Sequence, residues 1–164
     1  MLLLDVNVCV YAFRRESRGY EDWKDWLEQA LRGPEPVGLP EQVLASVLRL
    51  VTNHRMYKNP STPEAALAFC DALLGAPAAM RVRPGERHWG IFHDLVSRHG
   101  LRGNDIPDAY LAALALEQGA TLVTADRRFA LHEGLRMMNR QVQRPWPQHQ
   151  SRLTPLTRSR TPHL

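Results

Sequence analysis

Short apolar runs recur along this chain, and a stretch of helical periodicity fills almost every gap between them. Residues 2–8 (LLLDVNV), 37–39, 80–83, 120–124 (ATLVT) and 135–137 have the length and side-chain content of strands. Residues 16–31 carry Tyr20, Trp23, Trp26, Leu27, Ala30 and Leu31 at helical spacing, and Gly33 with Pro34 stops them. Pro40 opens a second helix, ending near Asn53, in which Val43, Val47 and Leu50 lie beside a stripe of Leu44, Leu48 and Val51. Thr62 ahead of Pro63 and Glu64 is a helix start, and that helix runs to Leu74 before Gly75. Trp89, Phe92, Leu95 and Val96 mark a helix over 87–99, and residues 105–118 (DIPDAYLAALALEQ) are nearly all helix formers with Gly119 behind them. AspArgArgPhe then begins a further short helix at Asp126. Strands alternating with helices demand right-handed crossovers and a parallel sheet. The expected fold is therefore α/β, a three-layer α/β/α sandwich around a central, mostly parallel sheet. In such sheets ligands gather outside the carboxyl ends of the strands.

At 164 residues and 44% hydrophobic content, the chain suffices for one domain with a sizeable core, whereas two would be cramped. No stretch approaches the ~18 apolar residues of a membrane span, and the opening leucines lack the flank and length of an export signal, so a cytoplasmic protein is expected. Cys9 and Cys70 are too few for a disulfide scaffold or a CxxC metal site and read as buried thiols. The net charge of +4 is unevenly divided: residues 140–164 hold five arginines and no acid, which leaves −1 for residues 1–139. A folded domain over 1–139 followed by a basic, Pro- and Arg-rich tail over 140–164 is the expected division, with the tail a flexible extension.

Asp5 interrupts an apolar run, and Asn7 follows two residues later. A charge inside a buried strand costs several kcal/mol unless something pairs with it. Asp5 is therefore expected to sit where the strand leaves the core and to face a cation. Asp126 comes just after the strand at 120–124, and Glu41 follows the strand at 37–39 and enters the first turn of its helix. Asp108 occupies the first turn of the helix that leads back into residues 120–124. Because that helix runs antiparallel to the strand it feeds, its N-terminus also reaches the carboxyl edge. One aspartate at a helix N-terminus is ordinarily a cap. Four acids at one edge repel each other and remain ionised only around hard divalent cations, for which Mg²⁺ or Mn²⁺ suits an all-oxygen donor set. One or two such ions can activate water and neutralise charge on a phosphodiester. This chemistry needs no catalytic His, Ser or Cys, in keeping with seven scattered histidines and no HxH or HExxH pattern.

Three segments, LLLDVNVCVYAF, LPEQVLASVLRLVTN and NDIPDAYLAALALEQGATLVTADRRF, resemble the PIN-domain ribonucleases of the VapC toxin type, over roughly residues 1–137. The last segment is the most specific, with an acid before an alanine-rich helix, then a glycine, a short apolar strand and ThrAlaAsp. The resemblance implies a Mg²⁺- or Mn²⁺-dependent endoribonuclease that leaves a 5′-phosphate. It also implies a homodimer, RNA as substrate, and silencing by a cognate antitoxin protein. On the same ground Asp5, Asp108 and Asp126 match the family's first, third and fourth acids and would be metal ligands, with Asn7 and Thr124 supporting them.

Two departures stand out. The family's second acid commonly precedes an arginine by three residues, and Ser46 fills that slot before Arg49. Glu41 is the nearby acid, five positions earlier and about 140° around the helix; it is expected as the fourth catalytic carboxylate. Relatives often hold another acid where Arg128 stands, and Asp105, one turn before Asp108, is the available substitute. Arg14, Arg15, Arg18, Arg127 and Arg128 border the acidic edge as candidate phosphate contacts. Trp23 and Trp26, at i and i+3, are expected in the core or a dimer contact rather than stacked on bases. One rival is a PIN-like module that binds RNA or a partner protein without cutting. Another is a phosphatase of the haloacid-dehalogenase type, which would want a second aspartate at Asn7.

Overall fold

A computed structural model of the chain describes residues 1–139. Five strands, β1 (Leu2–Leu4), β2 (Val37–Pro40), β3 (Ala79–Val82), β4 (Thr121–Thr124) and β5 (Arg136–Asn139), form one sheet in the order β3-β2-β1-β4-β5. All four pairings are parallel. The helices are α1 (Val6–Phe13), α2 (Tyr20–Arg32), α3 (Glu41–Val51), α4 (Pro63–Leu74), α5 (His88–His99) and α6 (Asp105–Gln118), with a 3₁₀ turn at Arg127–Leu131. Crossovers β1→β2→β3 advance in one direction along the sheet and β3→β4 returns in the other. Right-handed connections therefore put α1–α4 on one face and α5 with α6 on the opposite one. The contacts agree: α1 packs on α2 and α3, α3 on α4, and α5 on α6. This is the three-layer arrangement expected.

The order reverses between β1 and β4, so a crevice opens outside their carboxyl ends, where α/β sheets bind ligands. Register makes the two ends level: Leu4 pairs with Val123, and the Asp5 N–H donates to Val123 O at 3.0 Å. Leu3, Leu4, Val37, Leu39, Leu122 and Val123 are all fully buried. An apolar run without alternation is what a strand covered on both faces requires.

The first run breaks earlier than its composition predicts. β1 stops at Leu4, and residues 6–13 form α1 instead of continuing as strand. Asp5 is the reason: it is extended at φ −85° and ψ 155°, and its Oδ1 accepts the Val6 N–H at 2.6 Å, capping the helix. The β-branched valines of VNVCVYAF are then overridden by packing, because Val8, Cys9, Val10 and Ala12 bury more than one face of the helix in the core. The following helix begins at Tyr20 rather than at residue 16, since Gly19 ahead of it has φ 72°, a left-handed conformation open to glycine. Thr62 caps α4 through its side chain with Pro63 in the first position, and α6 ends at Gly119, φ 57°, as expected. Cys9 and Cys70 are both buried free thiols. Trp23 is buried in the core and meets Trp26 edge-on at 6.2 Å, and Trp26, partly buried, packs against that core. Among the described residues no helix is long and apolar enough to cross a membrane. The predicted tail at 140–164 lies outside the described residues.

Candidate active site

Asp5 is 2% exposed, and three hydrogen bonds hold its carboxylate. Oδ2 accepts from Thr124 Oγ1 at 2.6 Å and from Asn7 Nδ2 at 2.5 Å, while Oδ1 takes the cap N–H. Thr124, the last residue of β4 and fully buried, uses its whole hydroxyl: it donates to Asp5 and accepts from Asn7 Nδ2 at 3.2 Å and the Asp126 N–H at 2.9 Å. Asn7 Oδ1 accepts the Ala125 N–H at 3.1 Å. These bonds tie the first turn of α1 to the end of β4. They also answer the phosphatase rival: the position after next from Asp5 must donate, which an amide does and an aspartate does not.

Burial first, then the neighbouring Asp108 and Asp126 charges, push Asp5 up to about 7 against the lowering effect of the Thr124 and Val6 hydrogen bonds. Asp108, in the first turn of α6, is pushed up to about 6, chiefly by burial, with Asp126 and Asp105 adding to it and Arg128 opposing. Three acids from β1, α6 and the end of β4 therefore share one electrostatic field at the carboxyl edge. Asp126 caps the 3₁₀ turn, its Oδ1 accepting the Arg128 N–H at 2.8 Å. Asp105 joins them: it does not cap α6, whose cap position is Asn104, but faces Arg128.

Arg128 is the centre of that outer group. Its NH1 donates to Asp105 Oδ1 at 3.1 Å, and its NH2 donates to Asp108 Oδ2 at 3.0 Å and Asp126 Oδ2 at 2.7 Å. Nε donates to the same Asp126 oxygen at 2.9 Å. The guanidinium is correspondingly held more firmly protonated, first by its Asp126 hydrogen bond. Sequence reasoning marked Arg128 as a departure but missed this role; the only signal was a base placed two residues after an acid.

Glu41 is not brought to this group. It opens α3 at the same edge, but its carboxylate accepts from Arg83 at 3.1 Å and lies 3.6 Å from Arg81, both on the β3 side. Ser46, further along α3, is half-buried. Arg14 is likewise not at the edge as an RNA contact. It is buried, donates to Ser61 Oγ, Asn59 O and Glu16, and lies 4.1 Å above the Tyr57 ring, pinning the segment before α4.

The donor chemistry fits a hard divalent cation: of four carboxylates, Asp5 and Asp108 are pushed toward protonation chiefly by burial and then by neighbouring acids, and Asp105, Asp108 and Asp126 face a single guanidinium. Among the described residues no group of three or more acid, histidine or cysteine side chains is arranged so that it could hold a metal ion as it stands. The outer carboxylates are spread around Arg128 instead.

The family model for the PIN domain matches residues 2–135. Ribonuclease VapC43 of Mycobacterium tuberculosis is 52% identical over 136 residues, covering 83% of this chain and 92% of that protein. Ribonuclease VapC25 of the same species is 35% identical, covering 83% and 96%. VapBC2 from Rickettsia felis, solved bound to a DNA fragment from its promoter, shares the fold with a TM-score of 0.61 at 22% identity, covering 84% of this chain and 97% of that one. With its acids gathered beyond β1 and β4 and these matches across most of its length, the chain belongs to the PIN-domain family, within the group of the VapC ribonucleases.

Proposed function

We propose that this protein is a Mg²⁺- or Mn²⁺-dependent endoribonuclease acting in the cytoplasm as the toxin of a toxin–antitoxin pair, working as a homodimer and held silent by a cognate antitoxin. The names of its relatives support ribonuclease activity. The observation that carries the metal is Asp5: a buried carboxylate, clamped by Thr124 and Asn7, whose ionisation is opposed by burial and by Asp108 and Asp126. Asp5, Asp108 and Asp126 would hold the ion. Bound there, it would supply Lewis acidity toward a water and the scissile phosphate.

The protein's own groups do the rest. Thr124 and Asn7 fix the orientation of the Asp5 carboxylate, which would ligate the ion, and Asp105 adds negative charge at the rim. Glu41 serves by ordering Arg81 and Arg83, whose side chains are 61% and 72% exposed and within reach of RNA phosphates from solvent, rather than as a ligand.

Incubating the protein with RNA, with Mn²⁺ or with chelator, tests this reading. Cleavage to 5′-phosphate ends that needs the metal and is lost in D5N supports it. Retention of RNA without products, with or without metal, would instead identify a binding module.

A further inference from the structure

The Arg128 guanidinium contacts three of the four carboxylates at the edge, at 3.1, 3.0 and 2.7 Å, and none of its hydrogen bonds reaches Asp5. Its planar fork is permanently charged and satisfies oxygens on α6 and after β4 together. A divalent ion among Asp5, Asp108 and Asp126 would compete for Asp108 Oδ2 and Asp126 Oδ2, which this fork now holds, and would repel the guanidinium beside them. The side chain is 50% exposed, so it has solvent to turn into, and each exposed ion pair it gives up is weak.

Resting on the metal-dependent reading above, we propose that Arg128 is a resident competitor of the divalent cation: it pairs with Asp105, Asp108 and Asp126 in the metal-free protein and must swing out for the ion to bind. The metal site is thus split in two. Asp5, held by Thr124, Asn7 and the α1 cap, stays in place, whereas Asp108 and Asp126 change partner. Arg128 weakens metal affinity and offsets part of the carboxylate repulsion in the metal-free chain.

The test is Mn²⁺ binding to the full chain, read from the electron paramagnetic resonance of the free ion, for the unaltered protein, R128Q and R128K. R128Q is expected to bind about tenfold more tightly, the combined strength of three exposed pairs, with R128K between. In the unaltered protein, phenylglyoxal modification of Arg128, followed by mass spectrometry, should be slow in chelator and faster with Mn²⁺, whatever the fate of the variants. Equal or weaker Mn²⁺ binding by folded R128Q, or metal-independent modification of Arg128, overturns the proposal and leaves the metal site standing. Absence of Mn²⁺ binding in all three proteins overturns it together with the nuclease reading.

Discussion

Thr124 Oγ1 donates a 2.6 Å hydrogen bond to Asp5 Oδ2 across 119 positions of sequence, and both groups are buried. The bond joins the ends of β1 and β4 at the point where the strand order reverses. It also occupies the one donor the hydroxyl has, so the position accepts little change.

Replacing Thr124 by valine keeps the shape and removes the hydroxyl. It leaves Asp5 without that donor and the Asp126 N–H without its acceptor, a loss of about 1–3 kcal/mol for buried groups. T124V should melt lower and bind Mn²⁺ more weakly, while T124S should retain most of both. Chemical denaturation of the two variants beside the unaltered chain checks this, and equal stability of T124V and the parent would contradict it.

The metal-free fold should lose stability as pH rises. Asp5 has its folded value raised from 3.8 to about 7, so between those limits the folded state binds more protons than the unfolded one and stability falls with rising pH. The upper bound is about 4 kcal/mol at ~1.4 kcal/mol per unit, and Asp108, raised to about 6, acts in the same direction. In chelator, D5N should be more stable than the parent at pH 8, and the difference should vanish toward pH 4. Denaturation midpoints across that range measure it; a D5N variant less stable at pH 8 would count against the account.

Metal binding should carry the opposite dependence. Asp5 and Asp108 must be ionised to hold a cation, so Mn²⁺ affinity should fall as pH drops through about 7 to 6. Calorimetric titration at stepped pH reads this directly. A flat affinity from pH 8 to pH 5.5 would show that neither carboxylate is a ligand.

Glu41 and Asp108 should separate. With its carboxylate on Arg83 and Arg81, Glu41 is expected to leave Mn²⁺ affinity within about twofold when changed to Gln, whereas D108N should lower cleavage about a hundredfold or more. If E41Q loses metal as D108N does, Glu41 returns to the ligand set.

Much of this architecture is written in local signals. Thr62 with Pro63, and Gly119 after an unbroken run of helix formers, mark α4 and α6 because caps and breakers act within a turn. The three aspartates could be placed because strand ends fix the edge of a parallel sheet. α1 was hidden by its valines, which favour strands until packing on α2 and α3 decides otherwise. The direction of Glu41 depends on arginines 40 and 42 positions later, one on the neighbouring strand β3 and one just past its end. Arg128 depends on how one 3₁₀ turn folds back over the start of α6. Neither is periodic or local, so neither was legible.

The most direct measurement is anomalous diffraction from crystals soaked in Mn²⁺, at a wavelength that singles out manganese. The account predicts a peak beyond the ends of β1 and β4, within coordination distance of Asp5, Asp108 and Asp126, with Arg128 turned away from them. Arg128 still bridging Asp108 and Asp126, and no manganese beside Asp5 in crystals saturated with the ion, would contradict it.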